Sequence, residues 1–125
     1  MAASHRFTAL RMDNMGIRTI LEQAAGVPVC RPDYRGDADQ YITLHLLGDV
    51  GAIYAEGVQA ESGTRFSVDL WSKTDYTSML ATVKSALQDS DYYVSVLAEY
   101  FEDESGYYHV VLEASCIGTC YGGGR

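Results

Sequence analysis

Residues 64–87, TRFSVDLWSKTDYTSMLATVKSAL, change hydrophobic period within a few positions. Phe66, Val68 and Leu70 alternate with Arg65, Ser67, Asp69 and Trp71. A period of two predicts a strand over 64–71 with one buried and one wetter face. Tyr76, Met79, Leu80, Val83 and Leu87 then recur at i, i+3, i+4, i+7 and i+11, the apolar stripe of a helix over 75–88. Thr74 or Asp75 can cap that helix, because a short side-chain oxygen accepts from an orphan backbone N–H. Trp71 falls at the strand-to-helix corner and is expected to be exposed there.

The same reading extends along the chain. Ile17, Ile20, Leu21 and Ala24 make one stripe of a helix over 13–25, with Gly26 placed as its C′ residue. Residues 27–30 read as a short strand, and Pro28, lacking an N–H, confines it to an edge or keeps it brief. After the polar turn sequence 31–40, a strand over 41–47 has Ile42, Leu44 and Leu46 on one face. Residues 48–63 carry four glycines but also Val50, Ile53, Tyr54 and Val58; they form either a mobile loop or an extended hairpin arm. A strand over 92–101 alternates Val94, Val96, Ala98 and Tyr100 against Tyr93, Ser95, Leu97 and Glu99. The turn EDESG at 102–106 closes a hairpin onto a last strand over 107–116. This order predicts one α+β domain over 1–125: a mostly antiparallel sheet, two main helices packed on one face, and the long loop or arm. Residues 1–12 and 117–125 are expected to be flexible termini.

Charge narrows the function classes. Residues 1–65 hold 8 acidic and 6 basic residues, a balance of −2, and residues 66–125 hold 9 acidic and 3 basic, a balance of −6. A chain at −8 does not grip nucleic acid by phosphate neutralisation, which needs clustered Lys and Arg. The acidic surface reads as solvation, or as a wall past which nucleic acid slides without sticking. No apolar run reaches the ~20 residues that span a bilayer, and the start lacks a signal-peptide core, so a cytoplasmic origin is expected. Cys30, Cys116 and Cys120 are expected to be reduced thiols, since four-residue spacing without a second pair or clustered His is not a zinc pattern.

Catalysis needs a nucleophile with a base, a metal cage, or paired carboxylates. His5, His45 and His109 lack any second histidine or glutamate at ligand spacing and read as strand or surface residues. Phosphate-loop, dinucleotide and nucleophile-elbow motifs are absent from the sequence. Asp37 and Asp39 begin a calcium-like spacing that then stops. The expectation is therefore no enzyme, no cofactor and no bound metal. Ten tyrosines against three Phe and one Trp fit either strand flanks or surfaces that are wet when free and covered when assembled.

The helix GIRTILEQAAGVPV, the strand YITLHLL, the glycine-rich stretch, the corner GTRFSVDLWSKTDYTSMLATVKSAL and the closing GYYHVVLEAS together cover residues 16–115. In this order they resemble the small tail-completion and tail-terminator proteins of long-tailed bacteriophages. The resemblance implies a structural virion protein at the head-proximal end of the tail, made in the host cytoplasm. It implies a ring homo-oligomer, six-fold, that ends the tail tube and joins it to the head connector. Its partners would be its own copies, the tail-tube protein and a head connector or neck protein. DNA would pass through without specific binding, and no membrane is involved. Terminator and neck-completion stations both remain open. Interface candidates are Val50, Ile53, Tyr54, Val58, Trp71 and Tyr76; channel-lining candidates are Glu102, Asp103 and Glu104. The alternatives are a small ligand-binding or enzymatic bacterial α+β domain, with a pocket near His45 and His109, and a monomeric adaptor capping another oligomer.

Overall fold

The strict alternation of residues 64–71 becomes the middle strand of the sheet. The computed structural model describes residues 13–50, 54–55, 58–59 and 63–117. Along them run α1 (Asp13–Ala25), β1 (Val29–Cys30), β2 (Gln40–Val50), β3 (Tyr54–Ala55), β4 (Val58–Gln59), β5 (Gly63–Ser72), α2 (Thr77–Asp89), β6 (Tyr93–Glu102) and β7 (Tyr107–Ile117). Five strands form one sheet in the order β1-β2-β5-β7-β6. The β1–β2 pair is parallel and the other pairs are antiparallel. β3 and β4 form a separate two-stranded antiparallel sheet, so the stretch between β2 and β5 contains a hairpin rather than structureless loop.

The fold is α+β, with both helices on one face of a mostly antiparallel sheet. Ile42, Leu44, Phe66, Val68, Leu70, Val110, Leu112 and Ala114 share that face and are buried. Ile17 and Leu21 of α1 and Met79, Val83 and Leu87 of α2 close over them. Each such side chain contributes about 1.5–3 kcal/mol on burial, so the two stripes fasten the helices to the sheet.

Local chemistry sets the element ends. Gly26, at φ 65°, ends α1, and its N–H reaches the Glu22 carbonyl at 3.0 Å. β1 lies at the sheet edge, as Pro28 requires. Helix α2 begins two residues later than the stripe suggests. Neither capping candidate caps it: Tyr76 is the N-cap and makes no side-chain capping bond, while Asp75 closes a turn ahead of the helix, its Oδ1 accepting from the Thr77 N–H at 2.9 Å and from the Thr77 hydroxyl at 2.7 Å. Those bonds hold the Asp75 carboxyl below its ordinary pKa. Thr74 instead closes the corner. The buried Ser72 Oγ donates to the Thr74 carbonyl and accepts from Gln40 Nε2, at 2.8 and 2.9 Å.

One expectation about strand faces holds and one is corrected. Leu46 lies opposite Phe66 and so shares the face of Ile42 and Leu44, but it is exposed, and the β2–β5 register shifts directly after it, before Gly48 at φ 125°. A second shift, between Val96 and Ala98, places Leu97 in a bulge. Val94 and Val96 therefore lie opposite Ala114 and Leu112 on the helix face. Ala98 and Tyr100 lie opposite Val111 and His109 on the other face, with Tyr93 and Ser95. One inserted residue inverts the alternation beyond it.

Candidate functional site

Among the described residues, the sheet face turned away from the helices carries a dense polar and aromatic array. Alternation places Tyr41, Thr43 and His45 of β2 there, with Arg65, Ser67, Asp69 and Trp71 of β5 and Tyr107, His109 and Glu113 of β7. Register then aligns Tyr41, Trp71, His109 and Tyr100 directly across four strands. The Trp71 ring stacks on His109 with centroids 3.7 Å apart and on Tyr41 at 5.6 Å, both nearly parallel. Tyr34 continues the row, 4.3 Å from Tyr41, and Tyr107 stands edge-on to Tyr41 and Trp71. The Trp71 indole N–H donates to Thr43 Oγ1 at 2.9 Å, and the Tyr107 hydroxyl donates to the Ala38 carbonyl at 2.6 Å. Trp71 is thus half-buried within the row, which corrects the expectation of an exposed corner.

One row deeper, Asp69 is buried at 8% exposure. Its Oδ2 lies 2.5 Å from His109 Nε2, and its Oδ1 accepts from the Ser67 hydroxyl at 2.5 Å. Burial raises the Asp69 pKa. The His109 and Ser67 hydrogen bonds, with the charges of His109 and His45, more than reverse this and hold it below its ordinary value. An ionised carboxylate only accepts, so Nε2 of His109 carries the hydrogen between them. In a nucleophilic triad the hydroxyl bonds to the imidazole, which the carboxylate orients. Here the hydroxyl bonds to the carboxylate instead, and the imidazole lies against the Trp71 ring. The arrangement ties β5 to β7 and fixes the Trp71 stack.

Tyr41 is pushed up to about 12, first by burial and then by Tyr107 and Glu102. The Arg65–Glu113 pair spans 3.5 Å in partial exposure and adds little. His45 lines a cavity of about 430 Å³ with Arg31, Pro32, Leu44 and Leu46, and His109 is not part of that lining. Among the described residues, no cluster of three His, Cys, Asp or Glu could hold a metal ion, and no helix is long and apolar enough to cross a membrane.

The other candidates are dispersed. Val50 ends β2 opposite Gly63, Tyr54 lies in β3 and Val58 in β4. Ile53, His5, Cys120 and the termini 1–12 and 118–125 fall outside the described residues. Tyr76 precedes α2; its hydroxyl donates to Glu99 at 2.6 Å, a bond that raises its pKa. Glu102 ends β6, and Asp103 and Glu104 stand in the β6–β7 turn, all exposed. Cys30 is free but Cys116 is disulfide-bonded, which corrects the expectation of three reduced thiols. A disulfide depends on Cα atoms lying roughly 4.4–6.8 Å apart, a distance that residue spacing does not disclose.

The Asp69–His109 pair has no sequence signature, because the two are 40 residues apart. The available signal was parity: both stand on the strand face opposite the apolar one, and only the β5–β7 register joins them. No protein-family model and no curated protein matches the chain.

Proposed function

We propose that the chain is a structural subunit of a long-tailed bacteriophage that forms a ring at the head-proximal end of the tail. There it ends the tube and joins it to the head connector. The observation that carries this reading is the β3–β4 hairpin, a sheet of its own between two strands of the main sheet. A hairpin this short is marginal by itself in water and gains stability by packing on another surface. A subunit that offers such an arm to its neighbour makes a heterologous contact, and a heterologous contact that closes is a ring. Val50, Tyr54 and Val58, with Ile53 between them, are the proposed contact residues. Glu102, Asp103 and Glu104 are proposed to face the channel, where negative groups keep DNA phosphates from adhering. The hydroxyl-to-carboxylate order of Ser67, Asp69 and His109 supports a non-enzymatic role.

The test mixes the full chain with tubes assembled from the tail-tube protein encoded in the same genome. Native mass spectrometry and negative-stain images follow. Rings on one tube end are expected, and they are lost when residues 51–62 are replaced by a short Gly-Ser turn. A strict monomer that never attaches to tubes overturns the proposal.

A further inference from the structure

The two borders of the main sheet differ in chemistry. On the β2 side, β1 interrupts the edge, and its neighbours Pro28 and Pro32 have no N–H to offer a strand. On the other side, β6 presents a full-length outer edge that pairs with no strand among the described residues. Its large side chains are unusually bare: Tyr93, Val96, Leu97, Tyr100 and Phe101 are 45–67% exposed. Natural edges resist pairing with Lys, Pro or bulges. β6 contains no Lys, Arg or Pro, and its bulge at Leu97 leaves residues 98–102 as a regular stretch beyond it.

We propose that the β6 edge over residues 98–102 accepts an extended, basic segment of a protein partner, added to the sheet as a further strand. Main-chain hydrogen bonds would hold it, and alternate side chains would enter the two faces. On the helix face, Phe101 and Tyr76 flank Tyr108, with ring centroids 4.9 and 5.8 Å away. On the opposite face Tyr100 lies 5.8 Å from His109. Charge selects the partner. Glu99 and Glu102 stand on opposite faces of the stretch, and Asp103 and Glu104 follow in the turn. No Lys or Arg occurs from residue 85 to residue 124, so no basic side chain in that segment offsets them. The Tyr76 hydroxyl fixes the Glu99 carboxylate beside the aromatic pair. Lys or Arg alternating with apolar residues meets both features, and a guanidinium also favours the Tyr and Phe faces. A second β6 would bring further glutamates to the same edge, and nucleic acid would bring phosphates. This inference does not depend on the ring reading.

The test uses the full chain and amide hydrogen exchange followed by NMR. The probes are a peptide of alternating Arg and Val, its Glu–Val counterpart, and the Arg–Val peptide N-methylated at alternate residues. The Arg–Val peptide is expected to slow exchange over residues 98–102. The Glu–Val and N-methylated peptides should bind at least about tenfold more weakly, since cross-strand charge pairs and main-chain bonds are lost. The exposed double variant Glu99→Lys/Glu102→Lys should reverse the charge preference. Glu99→Gln/Glu102→Gln should abolish it, and serves if the Lys variant misfolds. Four results overturn the proposal: no protection by any peptide, equal protection by the Arg and Glu peptides, undiminished binding after N-methylation, or peptide-free protection that rises with protein concentration. The last would identify a second copy as the occupant.

Discussion

Replacing Asp69 by Asn should cost about 2 kcal/mol at pH 7 while leaving the fold intact. The wild-type carboxylate is only 12% exposed in its side chain and takes bonds from both Ser67 and His109. Hydrogen bonds to a charged group are each worth roughly 1.5–3 kcal/mol, and the amide keeps the shape and one accepting oxygen. About one such bond is therefore lost, along with the charge. The pH dependence gives a second handle. The folded Asp69 pKa is lowered from 3.8, so its stabilisation is fully present above that value. As the pH falls below 3.8 the unfolded chain takes up its proton first. The advantage shrinks until the folded carboxyl is protonated too. Urea unfolding, followed by circular dichroism and by fluorescence of the single tryptophan, Trp71, measures both effects. A difference under about 0.5 kcal/mol at pH 7 would refute the reasoning, because substitutions that break no specific interaction fall in that range. So would a difference that persists unchanged when the pH drops from about 5 to about 2.

Two further expectations concern core and face. Phe66 is fully buried in the central strand, so Phe66→Ala should cost about 3–5 kcal/mol; a loss below about 1 kcal/mol in urea or thermal melts would contradict its core role. Tyr41 ionises near 12 in the fold but near 10 when unfolded, so its share of stability is present below 10 and declines as the pH rises towards 12. Tyr41→Phe should lose less stability over that interval than wild type, and parallel losses would show that Tyr41 is not held as described.

What the sequence disclosed followed periodicity closely. The stripe Ile17, Leu21 fixed α1 to its residue bounds, and Met79, Val83 and Leu87 turned out to be the buried side of α2. Phe66, Val68 and Leu70 marked the core face of β5, and EDESG closed the β6–β7 hairpin, with Gly106 at φ 80°. Periodicity failed where one residue was inserted. The bulge at Leu97 adds no recognisable residue type, yet it moves Ala98 and Tyr100 to the other face. Trp71 was misplaced for a related reason: its parity was visible, but the rings that cover it come from β2 and β7, and register is a tertiary property. The Asp69–His109 pair was hidden in the same way. The hairpin in residues 48–63 stood as one of two alternatives, since four glycines lower the strand signal that Tyr54 and Val58 supply.

The central claim is a place in a virion, and location tests it most directly. On the proposed reading the genome that encodes this chain yields phage virions, which can be purified and labelled with gold-conjugated antibody against the full chain. The account predicts label at the head-proximal end of the tail. It also predicts that deleting the gene yields unjoined heads and tails of uncontrolled length. Purified particles without the chain, together with normal joined particles after deletion, would contradict it.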